Sequence, residues 1–548
     1  HLFIFLSRVY CSGDVLHDIQ LAGLFKDSKS FVDLKLKVPE EELLVEFDAL
    51  KERSNGTLSK DQISQFVQDH FEQGRELESW APPDFTENPS ILKKNRDSQY
   101  RVWAQELNMI WRTLARKVKE DVREHPDLYS QIYLPNGLVV PGGRFKEIYY
   151  WDTYWIVYGL LVCDMHDTAR GMIENLLSLV ARFGYVPNGS RKYYFMRSQP
   201  PLLIPMADAY LRFNQTQGMK LIEDYFEIFE EEFLFWLRHK MYYSNSLQFY
   251  FYREDYELAE HFPEQWQRDV FYNQIKTAAE TGWDFSSRHI NKDGTNEGNL
   301  TNTLTESIVQ VDLNALLEQN ILWNEEEGIW FDYDLLYKKQ RKYFYASNFA
   351  PLWTKSYRRS RVEVGDLAVQ YLSRNGLIDP FWMPQFWGMP MSLLNTTQQW
   401  DYPNMWAPLQ SFFIFGLDQT DSTMAQRVAK RFAANYAQTN FVGYKKTGKM
   451  FEKYSAIHEG ESGNGGEYEV QEGFGWSNGV IFQILEKYGQ LLVDNFKEKF
   501  QVVIVTKFNK KTSGEYHGRN RRTAFSRAVF RFFSEKNSPQ NVPKSTQK

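Results

Sequence analysis

Apolar positions along this chain recur mostly at helical spacing, and strand signals are few and short. Two early helices are predicted, Pro39 to Glu52 and Lys60 to Gly74. Ser98 to Glu124 carries Trp103, Leu107, Ile110, Trp111 and Leu114 on one face, and Pro126 stops it. Trp151 to Cys163 is nearly all apolar, as expected of a helix buried on every side. Asp167 is placed to cap the next helix, which runs to Phe183 and stops at Gly184. Further helices are expected at Gln217 to Lys240, His261 to Glu280, Arg361 to Arg374, Trp406 to Phe415, Asp421 to Gln438 and Ser477 to Val493. Helices that are alternately apolar and amphipathic suit an all-α fold of two concentric layers, with a site built at one end from the connecting loops. Residues 1–100 read as an N-terminal lead-in packing on that barrel, 101–493 as the barrel itself, and 494–548 as a basic tail.

Composition narrows the function classes. The chain has 548 residues, 43% of them hydrophobic, and a net charge of −6, so the whole molecule is not a nucleic-acid binder. Residues 501–548 hold 11 Lys/Arg against 2 Asp/Glu, which reads as a solvated, disordered tail. Cys11 and Cys163 allow one disulfide at most. No stretch approaches the roughly 18 apolar residues of a membrane span. Leu2 to Leu6 reads either as the tail of a signal-peptide core or as a buried N-terminal segment. Glycosylation sequons stand at Asn55, Asn188, Asn214, Asn299 and Asn395. These signs predict a secreted protein, with a membrane-tethered form left open.

Four clusters carry candidate chemistry. Pro141 to Tyr154 sets Arg144, Glu147 and Asp152 among five aromatics after a Pro-Gly-Gly turn. That mixture suits a wet pocket gripping a polyol; a charged loop running into an amphipathic helix would look similar. Asn188-Gly189-Ser190 leads to Arg197-Ser198-Gln199-Pro200-Pro201. Glu280 to Arg288 places Asp284 between Trp283 and Phe285, whose desolvation would raise its pKa and keep it protonated, as a general acid requires. Glu452 stands beside Lys453, a cation that favours the ionised carboxylate of a general base, and Gly465 to Trp476 follows. Two carboxyls in opposed environments suit glycoside hydrolysis. No His-x-x-x-His or Cys pair has metal spacing, no Gly-x-Ser-x-Gly elbow occurs, and Gly463 to Gly466 lacks the Lys-Ser/Thr of a phosphate loop, so neither a metal nor a cofactor is implied.

These segments, over roughly residues 8 to 492, resemble the α,α-trehalases, inverting glycoside hydrolases with an (α/α)6 barrel. Pro141 to Tyr154 matches the family's first signature, and Gln399-Trp400-Asp401-Tyr402-Pro403-Asn404-Met405-Trp406-Ala407-Pro408 is similar to the second, with Met405 where a smaller residue is usual. The resemblance implies trehalose as substrate, Asp284 as general acid and Glu452 as general base. It implies that Arg144, Trp151, Asp152, Asn188, Arg197, Ser198, Gln199, Gly282 and Glu467 hold the two glucose rings, with Phe145 and Trp406 lining the pocket. Asn188 is then discounted as a sequon. An inverting pair is expected about 6.5–9.5 Å apart, leaving room for water. One segment departs: the family usually has Arg-Pro-Arg-Pro-Glu-Ser where this chain has Ser246-Leu247-Gln248-Phe249-Tyr250-Phe251, so Gln248 and Tyr250 replace a substrate-gripping Arg and Glu. The alternatives are a trehalase-like sugar binder with reduced or no turnover, and a related (α/α)6 glucosidase acting on another substrate.

Overall fold

The structure, a computed structural model, describes residues 7–244, 247–250, 264–317, 322–466 and 468–492. The basic tail, Leu2 to Leu6 and the greater part of the departing 246–251 segment's surroundings lie outside those residues. Among the described residues, no helix is long and apolar enough to cross a membrane. Cys11 and Cys163 are free thiols. Asn55, Asn299 and Asn395 are exposed, whereas Asn188 is buried.

The lead-in has a small apolar core of its own, in which Val15, Ile19, Phe31, Leu43, Phe47 and Phe66 meet. Three of its helices are α1 (Asp14–Leu21), α2 (Glu40–Arg53) and α3 (Lys60–His70). The last begins with a reciprocal cap between Ser59 and Gln62. It ends short of Gly74 because Phe71–Glu72 leaves the helix to pair with Lys35–Leu36.

Helix α4 (Ser98–Leu114) starts on Asp97, whose carboxylate accepts the Gln99 and Tyr100 N–H groups. It stops at Leu114, ten residues before the expected end at Glu124. Ala115–Val118 becomes a central strand between Leu77–Ser79 and Leu138–Val139, so tertiary pairing overrides the local helical period. The following helices are α5 (Tyr150–Val162), α6 (His166–Phe183), α7 (Leu203–Phe213), α8 (Gln215–His239), α9 (Gln265–Glu280), α10 (Ala350–Thr354), α11 (Arg361–Arg374), α12 (Ala407–Asp418), α13 (Thr423–Thr447) and α14 (Gly475–Tyr488). Neither α7 nor α10 was expected from the pattern. Asp167 does not cap α6; it lies in the first turn, and Asp84 instead accepts the Thr168 N–H and hydroxyl. Gly184 does end that helix in the left-handed conformation.

Two layers result, as the (α/α)6 reading requires. Helix α5 buries every residue but Tyr158, α12 every residue but Phe415, and α14 all but Glu486 and Lys487. These are inner helices: α5 packs on α7 and α14, α14 on α12, and α12 on α10. Helices α6, α8, α11 and α13 pack outside them, each with a buried and a solvated face. Helices α5 and α14 cross at a pair of glycines, Gly159 and Gly479. A Cβ on Gly479 would lie 2.0 Å from the Trp155 carbonyl oxygen, and one on Gly159 would lie 3.0 Å from the Gly479 Cα. Gly479→Ala is therefore expected to force the two helices apart and destabilise the fold by about 1–3 kcal/mol. Urea unfolding of the variant tests this, and an unchanged midpoint would refute the crossing.

Candidate active site

Helices α5, α12 and α14 all begin at the same end of the barrel, and each brings a tryptophan to its start. Trp151 lies in the first turn of α5, Trp406 immediately precedes α12, and Trp476 opens α14. The three, with Trp400, wall one side of a cavity of about 160 Å³. Trp400 and Trp406 stack face to face, with ring centres 4.0 Å apart, and Trp476 meets Trp151 and Trp406 edge-on. Flat faces fixed in this way suit the C–H surfaces of a sugar. Trp151 and Asp152 lie in the first turn of α5, at the start of the helix expected from Trp151.

The candidate acid and base reach this cavity from different elements. Helix α9 ends at Glu280, and Gly282 and Asp284 follow on the cavity wall. Gly282 has φ +82°, and a Cβ there would come within 2.6 Å of the Trp151 ring. Asp284 is half-buried. Trp283 and Phe285 were expected to desolvate it, but neither lines the cavity. Trp283 lies in the core, stacked on Trp400 and under the Arg288 guanidinium. Glu452 directly precedes strand Lys453–Ser455, which pairs antiparallel with Asn404–Trp406, Lys453 opposite Trp406. The second signature and the Glu452 segment are thus neighbouring strands.

Glu452 is 2% exposed. Its carboxyl accepts the Tyr468 hydroxyl at 2.8 Å and the Gln471 N–H at 3.3 Å. Burial pushes its pKa up, against the opposing pull of Lys453 and those hydrogen bonds. The Lys453 charge alone predicted the reverse. Burial reverses the sign, and the ammonium itself is pushed down to about 8 while it donates to Gln399 Oε1 and the Gly465 carbonyl. Asp152 is also buried in the cavity wall, and its carboxyl is raised well above the ordinary range by burial and by the charges of Glu452 and Asp284.

Arg144, Phe145, Asn188, Arg197 and Gln199 line the same cavity. The Arg197 Nε donates to the Asn188 side chain at 2.9 Å, and the Gln199 side chain accepts the Trp151 N–H at 3.2 Å. Arg144 lies over the Tyr468 ring, 4.5 Å from its centre, and pairs through Nε and Nη2 with Asp27 of the lead-in. Nearby, the buried Glu147 takes ion pairs from Lys29 and Arg191, so the lead-in is tied to the first signature loop by charge. Ser198 does not reach the cavity; its hydroxyl donates to the Val186 carbonyl and its N–H to Glu280. Glu467 lies outside the described residues. Leu247–Tyr250 pairs antiparallel with Met241–Ser244, with Gln248 opposite Tyr243; the side chains of Gln248 and Tyr250 lie outside the described residues. Tyr194, Gln399, Trp400, Tyr468, Phe474 and Trp476 also line the cavity and were not singled out as site residues. Tyr468, Phe474 and Trp476 are aromatics of the last cluster, Gln399 and Trp400 open the second signature, and Tyr194 lies between Lys192 and Arg197 in the second cluster, so proximity to charged positions was the available signal.

A family model described as Trehalase matches residues 23–321 and 318–489. A trehalase of Apis mellifera is 42% identical over 90% of this chain and 86% of its own length. One of Homo sapiens is 39% identical over 90% of this chain and 91% of its own. The solved neutral trehalase of Saccharomyces cerevisiae shares the fold, with a TM-score of 0.53 at 20% identity over 69% of this chain and 82% of that one. The chain belongs to the trehalase family.

Proposed function

We propose that this protein hydrolyses α,α-trehalose to two glucoses with inversion at one anomeric carbon. The observation that carries the reading is the delivery of Asp284 and Glu452 to one aromatic-walled cavity from separate elements. Glu452 takes a proton from water, and the resulting oxygen attacks the anomeric carbon from the face opposite the glycosidic bond. Asp284 gives its proton to the glycosidic oxygen as the C–O bond breaks. The attacked ring leaves as β-glucose and the other as α-glucose. A carboxyl pKa raised by burial suits a base that works nearer neutrality than a solvated glutamate would. Asp152, with its proton held to higher pH, serves as a hydrogen-bond donor to a sugar hydroxyl. Arg144 and Arg197 supply charged donors to others.

A second reading rests on the 246–251 segment. Without the usual Arg and Glu there, the same cavity would bind the sugar and turn it over slowly, since each lost charged partner costs about 1.5–3 kcal/mol. Proton NMR of α,α-trehalose incubated with the protein separates the two. Equal initial amounts of α- and β-glucose are expected. Retained sugar with no glucose release would favour the binder. Secretion belongs to the same reading, supported by the exposed sequons at Asn55, Asn299 and Asn395.

A further inference from the structure

Gln399 occupies a singular position between the two candidate catalytic carboxyls. Its main chain is fixed from two sides: the carbonyl accepts Trp406 Nε1 at 2.8 Å and Asn404 Nδ2 at 3.0 Å. The residue is 4% exposed, and its side chain uses both ends of the amide. Nε2 donates to the main-chain carbonyl of Asp284. Oε1 accepts Lys453 Nζ at 2.8 Å, and Lys453 adjoins Glu452. The next two residues extend the junction. The Trp400 N–H donates to the Phe285 carbonyl at 3.0 Å, and Asp401 accepts the Ser286 hydroxyl and the Ser287 N–H and hydroxyl at 2.7–2.9 Å.

We propose that Gln399 is a positioning residue that sets the spacing of Asp284 and Glu452, one amide bridging the Asp284 main chain to the Lys453 ammonium. The inference rests on the reading of those two carboxyls as acid and base. No other side-chain type does both jobs at this length. Glutamate keeps an acceptor for Lys453 and loses the donor to Asp284. Methionine has the length and neither group. Asparagine falls one methylene short. Reacting groups displaced by about 1 Å cost roughly 10²-fold in rate, and the loss falls on the chemical step rather than on binding.

The test compares Gln399→Met and Gln399→Glu with the unaltered protein, using α,α-trehalose as substrate and thermal unfolding to compare folding. Gln399→Met is expected to lower kcat about 100-fold with KM changed less than about 3-fold. Gln399→Glu is expected to fall between it and the unaltered protein. Loss of kcat in either variant, with KM and unfolding temperature held, supports the strut. A raised KM with kcat intact would overturn it, because Gln399 would then be gripping sugar directly. Unaltered kinetics in both variants would overturn it as well. Asp284→Asn and Glu452→Gln are assayed alongside: full activity in those would sink the acid and base reading, independently of Gln399.

Discussion

Glu452→Gln is expected to lower kcat on trehalose by about 10²–10⁴-fold while leaving the fold at least as stable as before. The first half follows from removing a general base, whose contribution spans that range. The amide keeps the shape and can still accept the Tyr468 hydroxyl, so the loss isolates the proton transfer. The second half follows from the sign of the pKa shift. Burial raises the folded carboxyl above its ordinary 4.5, so the folded state holds this proton to higher pH than the unfolded chain does. The stability linked to that proton is fully present below pH 4.5 and is lost as pH rises through the folded pKa. As pH rises from 4.5 through the folded pKa, the unaltered protein takes on a buried charge that the amide never bears. Thermal unfolding should therefore show the variant gaining on the unaltered protein as pH rises from 4.5. A variant with kcat within tenfold of the parent would remove Glu452 from the mechanism. One that instead lost ground to the unaltered protein as pH rose from 4.5 would show that the Lys453 and Tyr468 contacts outweigh burial.

Such a sign could not be read along the chain. Lys453 is visible next to Glu452 in the sequence, and its charge points the right way for a lowered pKa. What reverses the balance is enclosure by Tyr468, Trp476 and the paired strand, and enclosure exists only once the chain is folded. The same limit explains Trp283, which flanks Asp284 in sequence yet belongs to the core in space. Ser198 sits between two cavity residues, Arg197 and Gln199, and turns its hydroxyl to the Val186 carbonyl instead.

The inner helices were legible because total burial leaves a trace in composition. Helix α5 is apolar around its whole circumference, as a helix enclosed on all sides must be. Helix α7 escaped because it is short and carries Pro205 in its first turn, which reads locally as a breaker. Strand Ala115–Val118 escaped because its pairing partners lie about 20 residues or more away on either side. Long-range charge was the least legible feature. Asp27 meets Arg144 across 117 positions, and no local pattern in the lead-in marks it as part of a site.

Arg288→Met is expected to cost about 3–5 kcal/mol of stability, the largest structural loss foreseen here. Arg288 is fully buried four residues after Asp284. Its guanidinium makes two 2.7 Å bonds to Asp312 and bonds of 2.8 and 3.0 Å to Asp332. Burial alone would weaken its proton affinity, yet the two carboxylates hold it well above the ordinary value, so it stays charged at any working pH. Methionine fills much of the space and strands both anions. The cost is thus the desolvation of two unpaired carboxylates rather than a cavity. Arg288→Lys keeps the charge without the fork, so it should lose less than methionine and more than a surface change. Adding Asp332→Asn to Arg288→Met should recover part of the loss, because one stranded charge disappears. Urea unfolding followed by tryptophan fluorescence gives all three values. A loss under about 1 kcal/mol in Arg288→Met would mean that Asp312 and Asp332 find other partners. The Asp284 loop would then owe more of its placement to Gln399, Trp400 and Asp401.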